Sequence, residues 1–161
     1  MKKSAGILLY KYAGAELLVF LVQPGGPFWK NKDDGAWSIP KGEYVDAEDP
    51  LVAARREFAE ETGQAIDGDF VKLGDYRQPG GKLVSAWAVE GDCDANAIRS
   101  NTFTIEWPPK SGRTAEFPEV DRAQWFAPEQ ATSKLLKGQV AILHDLLKYL
   151  VQQTGATKLR A

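Results

Sequence analysis

The spacing of apolar residues predicts a mixed fold of the α/β or α+β kind, on three observations. Two β-rich apolar runs, Ser4 to Lys11 and Glu16 to Gln23, flank Tyr12-Ala13-Gly14-Ala15, a hairpin signal. One short, sharply bounded helix pattern sits mid-chain between strand patterns. Two more helix patterns follow the last strand.

Taken in order, the first two runs should pair antiparallel. Pro24 to Gly35 is rich in Gly, Pro and charge and reads as a loop, and Trp37-Ser38-Ile39-Pro40 reads as a short strand leading to Lys41 and Gly42. The central helix spans Pro50 to Thr62: Asp49 is a suitable N-cap, Pro50 fits the first helical position, and Gly63 stops the far end. Phe70 to Tyr76 and Leu83 to Glu90 are strands around the turn Gln78-Pro79-Gly80-Gly81-Lys82. Thr102 to Trp107 is another, with Phe103, Ile105 and Trp107 on one face. A loop from Pro108 to Pro118 then precedes a strand from Asp121 to Phe126. Pro128 to Leu136 and Gln139 to Gln153 are helices, the second docking through Ile142, Leu143, Leu146, Leu147 and Leu150. Residues from about 154 to 161 read as a frayed tail.

The central helix carries the chemistry. Leu51, Ala54 and Phe58 fall on one stripe at about 100° per residue, and Glu57, Glu60 and Glu61 fall on a neighbouring one. Three carboxylates so spaced repel one another, and the repulsion grows with burial. Mg²⁺ or Mn²⁺ would offset it, because hard divalent ions take oxygen ligands and share their sphere with phosphates. A merely solvated acidic helix would not need Gly42 and Glu48 at set offsets in the preceding loop, or Arg56 beside the first Glu.

The stretch from Gly42 to Gly63 resembles a Nudix box: Gly, five residues, Glu, seven residues, Arg-Glu, an apolar residue, any residue, Glu-Glu, any residue, Gly. Seven set residue types and one apolar position arise by chance roughly once in a million chains of this length. Gln64 departs from the pattern, standing where the family has an aliphatic residue. The resemblance implies the Nudix α/β/α sandwich with a mixed sheet, over a single domain covering 1–161. It also implies that Glu57 and Glu61 are metal ligands, that Glu60 is a further ligand or the base that activates water, and that the Gly42 carbonyl is another metal contact. By the same resemblance Arg56 orients the carboxylates and Glu48 ties loop to helix. Many Nudix enzymes also carry a Glu six residues before an aromatic residue that opens the last strand. Glu119 precedes Trp125 by six, which makes it an extra ligand or base, with Glu116 and Asp121 as neighbours able to replace it.

The activity implied is metal-dependent cleavage of a phosphoanhydride in a nucleoside diphosphate linked to another group. Trp37 to Gly42 is similar to the Trp-x-x-Pro-Lys-Gly lead-in of diadenosine polyphosphate hydrolases and of predicted NTP pyrophosphohydrolases, so a dinucleoside polyphosphate is the lead substrate. A nucleoside triphosphate, oxidised or not, and a nucleotide sugar are the alternatives; a non-catalytic nucleotide-binding domain would be expected to have lost acids from the box. Around it, Lys41 is placed to help at the phosphates, Phe28 and Trp29 can stack on a base, and Lys110 and Arg113 can grip a distal phosphate. His144, on the last helix beside Leu143, reads as structural.

At 161 residues, with net charge −2, the chain has room for a core and no broad basic field, so small nucleotides rather than long nucleic acid are the expected partners of a monomer or homodimer. One cysteine, Cys93, permits no internal disulfide, and the opening Met-Lys-Lys-Ser leads into a strand, which together suggest a cytoplasmic setting. No apolar run reaches about 18 residues, so no membrane helix is expected.

Overall fold

A long first strand organises the sheet. The computed structural model describes residues 2–160, with side chains through residue 154, so the expected fraying of 154–161 falls, from 155 onward, outside the described side chains. Strand β1 (Lys3–Ala13) returns through Gly14 and Ala15 into β2 (Glu16–Pro24), as the hairpin signal implied. One edge of β1 runs parallel to β5 (Leu83–Glu90). The other edge is divided: β3 (Lys41–Glu43) pairs with Ser4 to Gly6, and β2 pairs with Tyr10 to Ala13. Outside these lie β4 (Val71–Arg77), antiparallel to β5, and β8 (Val120–Phe126), antiparallel to β2. The result is a mixed six-stranded sheet with path order β4-β5-β1-β2-β8.

Ser4 to Tyr10 are all buried, because alternate side chains of β1 enter two different cores. Ala5, Ile7 and Leu9 meet Phe20, Val22 and the apolar stripe of α1 (Pro50–Thr62), where Ala53, Ala54 and Phe58 are fully buried. Leu8 and Tyr10 face the opposite layer, built from α2 (Pro128–Lys134), Leu135 just past its end, and α3 (Val140–Arg160), through Ala131, Leu135, Ile142, Leu143 and Leu146. This is an α/β/α sandwich. His144 points outward from α3 and is exposed.

Helix α1 has the expected ends. The Asp49 carboxylate accepts from the Val52 N–H at 3.1 Å, and Gly63, left-handed at φ 74°, donates to the Ala59 carbonyl. Gln64 explains its own departure from the box: its amide donates to the Asp94 carbonyl at 2.8 Å and accepts from the Asp94 N–H at 2.9 Å. Ile66, two residues on, supplies the buried apolar contact instead.

Three expectations need correction. Trp37 to Pro40 is not a strand; its backbone groups go to several different partners. The Trp37 N–H donates to Lys134 of α2, Ser38 exchanges hydrogen bonds with Val22, and the Ile39 N–H donates to the side chain of fully buried Gln139. The strand proper begins at Lys41. Second, the expected loop from Pro108 to Pro118 contains a strand: β7 (Thr114–Pro118) pairs antiparallel with β6 (Thr102–Glu106) in a separate hairpin. Third, α2 stops two residues early, because Leu135 turns extended and the Leu136 N–H donates to the Trp37 carbonyl.

Candidate active site

The site forms where β3, α1 and the Glu119 turn meet. Gly42 lies against α1 so closely that a Cβ there would overlap the Glu57 carboxylate, which gives a steric reason for glycine at the first box position. On the other side of that carboxylate stands Arg56. Its Nε and Nη2 hold Glu48 as a two-point fork at 2.9 Å each, while Nη1 donates to Glu57 at 2.8 Å and to both oxygens of Glu60 at 3.2 Å. One guanidinium therefore ties the loop to the helix and aligns two acids.

Glu61 faces β3, where the Lys41 N–H donates to its Oε1 at 3.2 Å. Glu119 comes in from another part of the chain by a relay of peptide groups. The Asn101 N–H donates to the Glu60 carbonyl, the Glu119 N–H donates to the Asn101 carbonyl, and the Gly25 N–H donates to the Glu119 carbonyl, each at 2.8 to 2.9 Å. The order of the last strands alone would not bring Glu119 to α1; the Asn101 bridge does.

The electrostatics show what this gathering costs. Burial raises the Glu57 carboxyl above the usual range against the hydrogen bond from Arg56, with Glu60 and Glu119 adding to the rise. Burial likewise raises Glu61, opposed by the Lys41 charge and increased by Glu57 and Glu119. Glu119 is raised by burial and then by Glu60. Arg56 holds Glu48 below the usual carboxylate range and is itself raised, chiefly by its bond to Glu48. Lys41 is lowered by burial and by the neighbouring Lys82, against the pull of Glu61. Among the described residues, no three Asp, Glu, His or Cys side chains already form a converged metal cage. The donor set is nonetheless one for a hard cation: carboxylate oxygens alone, mutually repelling, with no sulfur or imidazole among them.

The remaining candidates are spread out. Glu116 is exposed on β7, and Asp121, also exposed, lines a separate cavity with Trp29. Lys110 and Arg113 sit at the exposed tip of the β6–β7 hairpin, where the Lys110 N–H donates to Glu106. Trp29 packs on the core as well as lining that cavity, and Phe28, 61% exposed, meets Trp107 edge-on at 5.6 Å. Sequence reading missed Asn101 and Lys82. Neither belongs to a motif, and each gains its position only from distant pairing.

A family model described as the NUDIX domain matches residues 1–148. The chain belongs to the Nudix family. Comparison with curated proteins finds no match. Among solved structures, this Nudix hydrolase is similar to an Ap4A hydrolase of C. elegans in a binary complex, with TM-score 0.65 and 20% identity over 94% of this chain and 99% of that one. A mutT/nudix family protein of Listeria innocua has TM-score 0.63 and 15% identity over 95% and 96%. The NUDIX domain of Shewanella oneidensis NrtR, solved with ADP ribose, has TM-score 0.62 and 17% identity over 92% and 87%. At such identities the likeness shows the fold. NrtR has also been solved with a 27mer DNA, so membership of the fold does not by itself exclude long nucleic acid. No helix among the described residues is long and apolar enough to cross a membrane.

Proposed function

We propose that this Nudix chain is a divalent-metal-dependent pyrophosphohydrolase that cleaves a phosphoanhydride in a nucleoside diphosphate linked to another group, with a dinucleoside polyphosphate as lead substrate. The observation behind the reading is that Glu57, Glu61 and Glu119, each with its carboxyl raised by burial, gather with Glu60, while one arginine aligns Glu57 and Glu60. Glu57 and Glu61 would hold Mg²⁺ or Mn²⁺, with Glu60, Glu119 and the Gly42 carbonyl as the further contacts. The ion supplies charge neutralisation at the phosphoryl oxygens and a more acidic water. The protein's part is then positional. Arg56 keeps Glu57 and Glu60 aligned, Glu60 or Glu119 accepts the proton of the attacking water, and Lys41 adds positive charge beside the departing phosphate.

Product analysis tests the reaction. Mononucleotide plus nucleoside triphosphate should form from a dinucleoside tetraphosphate, and only with added metal. Mononucleotide plus pyrophosphate from a triphosphate, with the dinucleotide left intact, would replace the lead substrate by the triphosphate alternative; that alternative is favoured by no observation in the site.

Burial of the acids also sets a pH dependence. The folded-state pKa values of Glu57, Glu61 and Glu119 are raised, so their contribution to metal-free stability is full below the unfolded value of about 4.3 and is lost as pH rises through the folded values. A cation needs the ionised forms and offsets that loss. The rise in thermal midpoint on adding millimolar Mg²⁺ should therefore be larger near about pH 8 than near about pH 5.5. An equal or reversed difference, read by scanning fluorimetry, would rule out these carboxylates as the ligands.

A further inference from the structure

We propose that the cavity between the Pro24-to-Trp29 loop and the β6–β7 hairpin is a base site selective for guanine over adenine, with Asp121 reading the base edge. This rests on the reading above that the substrate is a nucleotide. The cavity has a volume of about 410 Å³, within the range of small-ligand sites. Trp29, Trp107, Phe117 and Pro118 give it flat apolar walls, and its charged lining side chains are Lys30 and Asp121.

The two walls are built to meet. A Cβ on Gly25 would overlap the Pro118 carbonyl, and one on Gly26 would press into the Phe103 ring, so the two glycines let the loop lie directly on the hairpin. Phe103 and Phe117 pack at 6.1 Å, and Phe28 reaches over to Trp107 from the loop side. The loop is tied down at its other end. Lys134 binds Asp33 and Asp34 at 2.6 and 2.9 Å, and the Trp37 indole donates to Asp33. The cavity adjoins the carboxylate cluster through the chain itself: Pro118 lines it, and Glu119 is held by Gly25.

Aromatic walls bind any base face, so selection falls to the edge. An ionised carboxylate only accepts hydrogen bonds, through two oxygens side by side. Guanine offers the matching pair, N1–H and N2–H, with O6 next to them as an acceptor for the Lys30 ammonium. Adenine offers one amino group beside ring nitrogens whose lone pairs face the carboxylate unfavourably. A correct bidentate pair of this kind discriminates by roughly 5- to 150-fold.

GDP and ADP titrated with Mg²⁺, followed by quenching of tryptophan fluorescence, provide the test. GDP should bind the wild type more tightly by roughly 5- to 150-fold, Asp121→Asn should erase most of that advantage while leaving ADP nearly unchanged, and Trp107→Ala should weaken both. Equal affinities in the wild type, no binding of either nucleotide, or equal weakening of both by Asp121→Asn would overturn the assignment. Guanine selectivity without hydrolysis of any nucleotide would instead count against the proposed reaction and leave the base site standing.

Discussion

Glu57→Gln is expected to lower metal-dependent turnover by on the order of 10³-fold, while the thermal midpoint in EDTA stays level or rises. The two halves of this result have one cause. Glu57 sits beneath Gly42, with its side chain only 10% exposed, and its neutral form is favoured there by burial and by nearby Glu60. The amide keeps the size of the side chain, including an oxygen that can accept from Arg56, and removes a charge the metal-free fold bears at a cost. The amide no longer balances a cation, so Mg²⁺ should also lose much of its stabilising effect. Wild-type rates for this variant with saturating Mg²⁺ would remove Glu57 from the reaction, and a steep fall in midpoint in EDTA would mean that the carboxylate is structural.

The largest effect on stability is expected at the neighbouring position. Phe58 is fully buried between α1 and the sheet, 5.9 Å from Phe20, which in turn meets Trp125 at 5.3 Å. Phe58→Ala removes the main apolar anchor of α1 and should cost about 3–5 kcal/mol. For a domain of this size that lowers the thermal midpoint by roughly 10 °C. Turnover measured well below the new midpoint should fall as well, because Glu57, Glu60 and Glu61 ride on the helix that Phe58 docks. Denaturant unfolding monitored by circular dichroism gives the number, and a loss under about 1 kcal/mol would show that the helix is held by its caps and by Arg56 instead.

Helix α1 was legible to the residue, because every signal that bounds it is local. Asp49, Pro50 and Gly63 act within one turn, and the apolar stripe needs no knowledge of its partner. Strand β7 was not legible. Ala115 and Phe117 alternate over too short a run, ending in Pro118, and become a strand only through pairing with Thr102 to Glu106. Trp37 to Pro40 failed for the opposite reason: its apolar residues suggested a strand, but Gln139, 100 residues away from Ile39, takes the hydrogen bond a ladder would have used. Gln64 appeared as a gap in the box, and its role depends on Asp94.

The sequence by itself therefore determined the Nudix box, the carboxylate stripe and the ends of the helix that carries them. These follow from helical periodicity and from caps acting over a few residues. Only the tertiary structure decided that Arg56 grips three acids at once, that Asn101 brings Glu119 to the helix, and that the β6–β7 hairpin closes a cavity against the Pro24-to-Trp29 loop. The Arg56 contacts lie within eight residues but need the loop folded back on the helix, and the other two join segments far apart in the chain. Each depends on how the chain is placed once the sheet is assembled, the Asn101 relay on backbone groups the sheet leaves unpaired, and no local pattern records that.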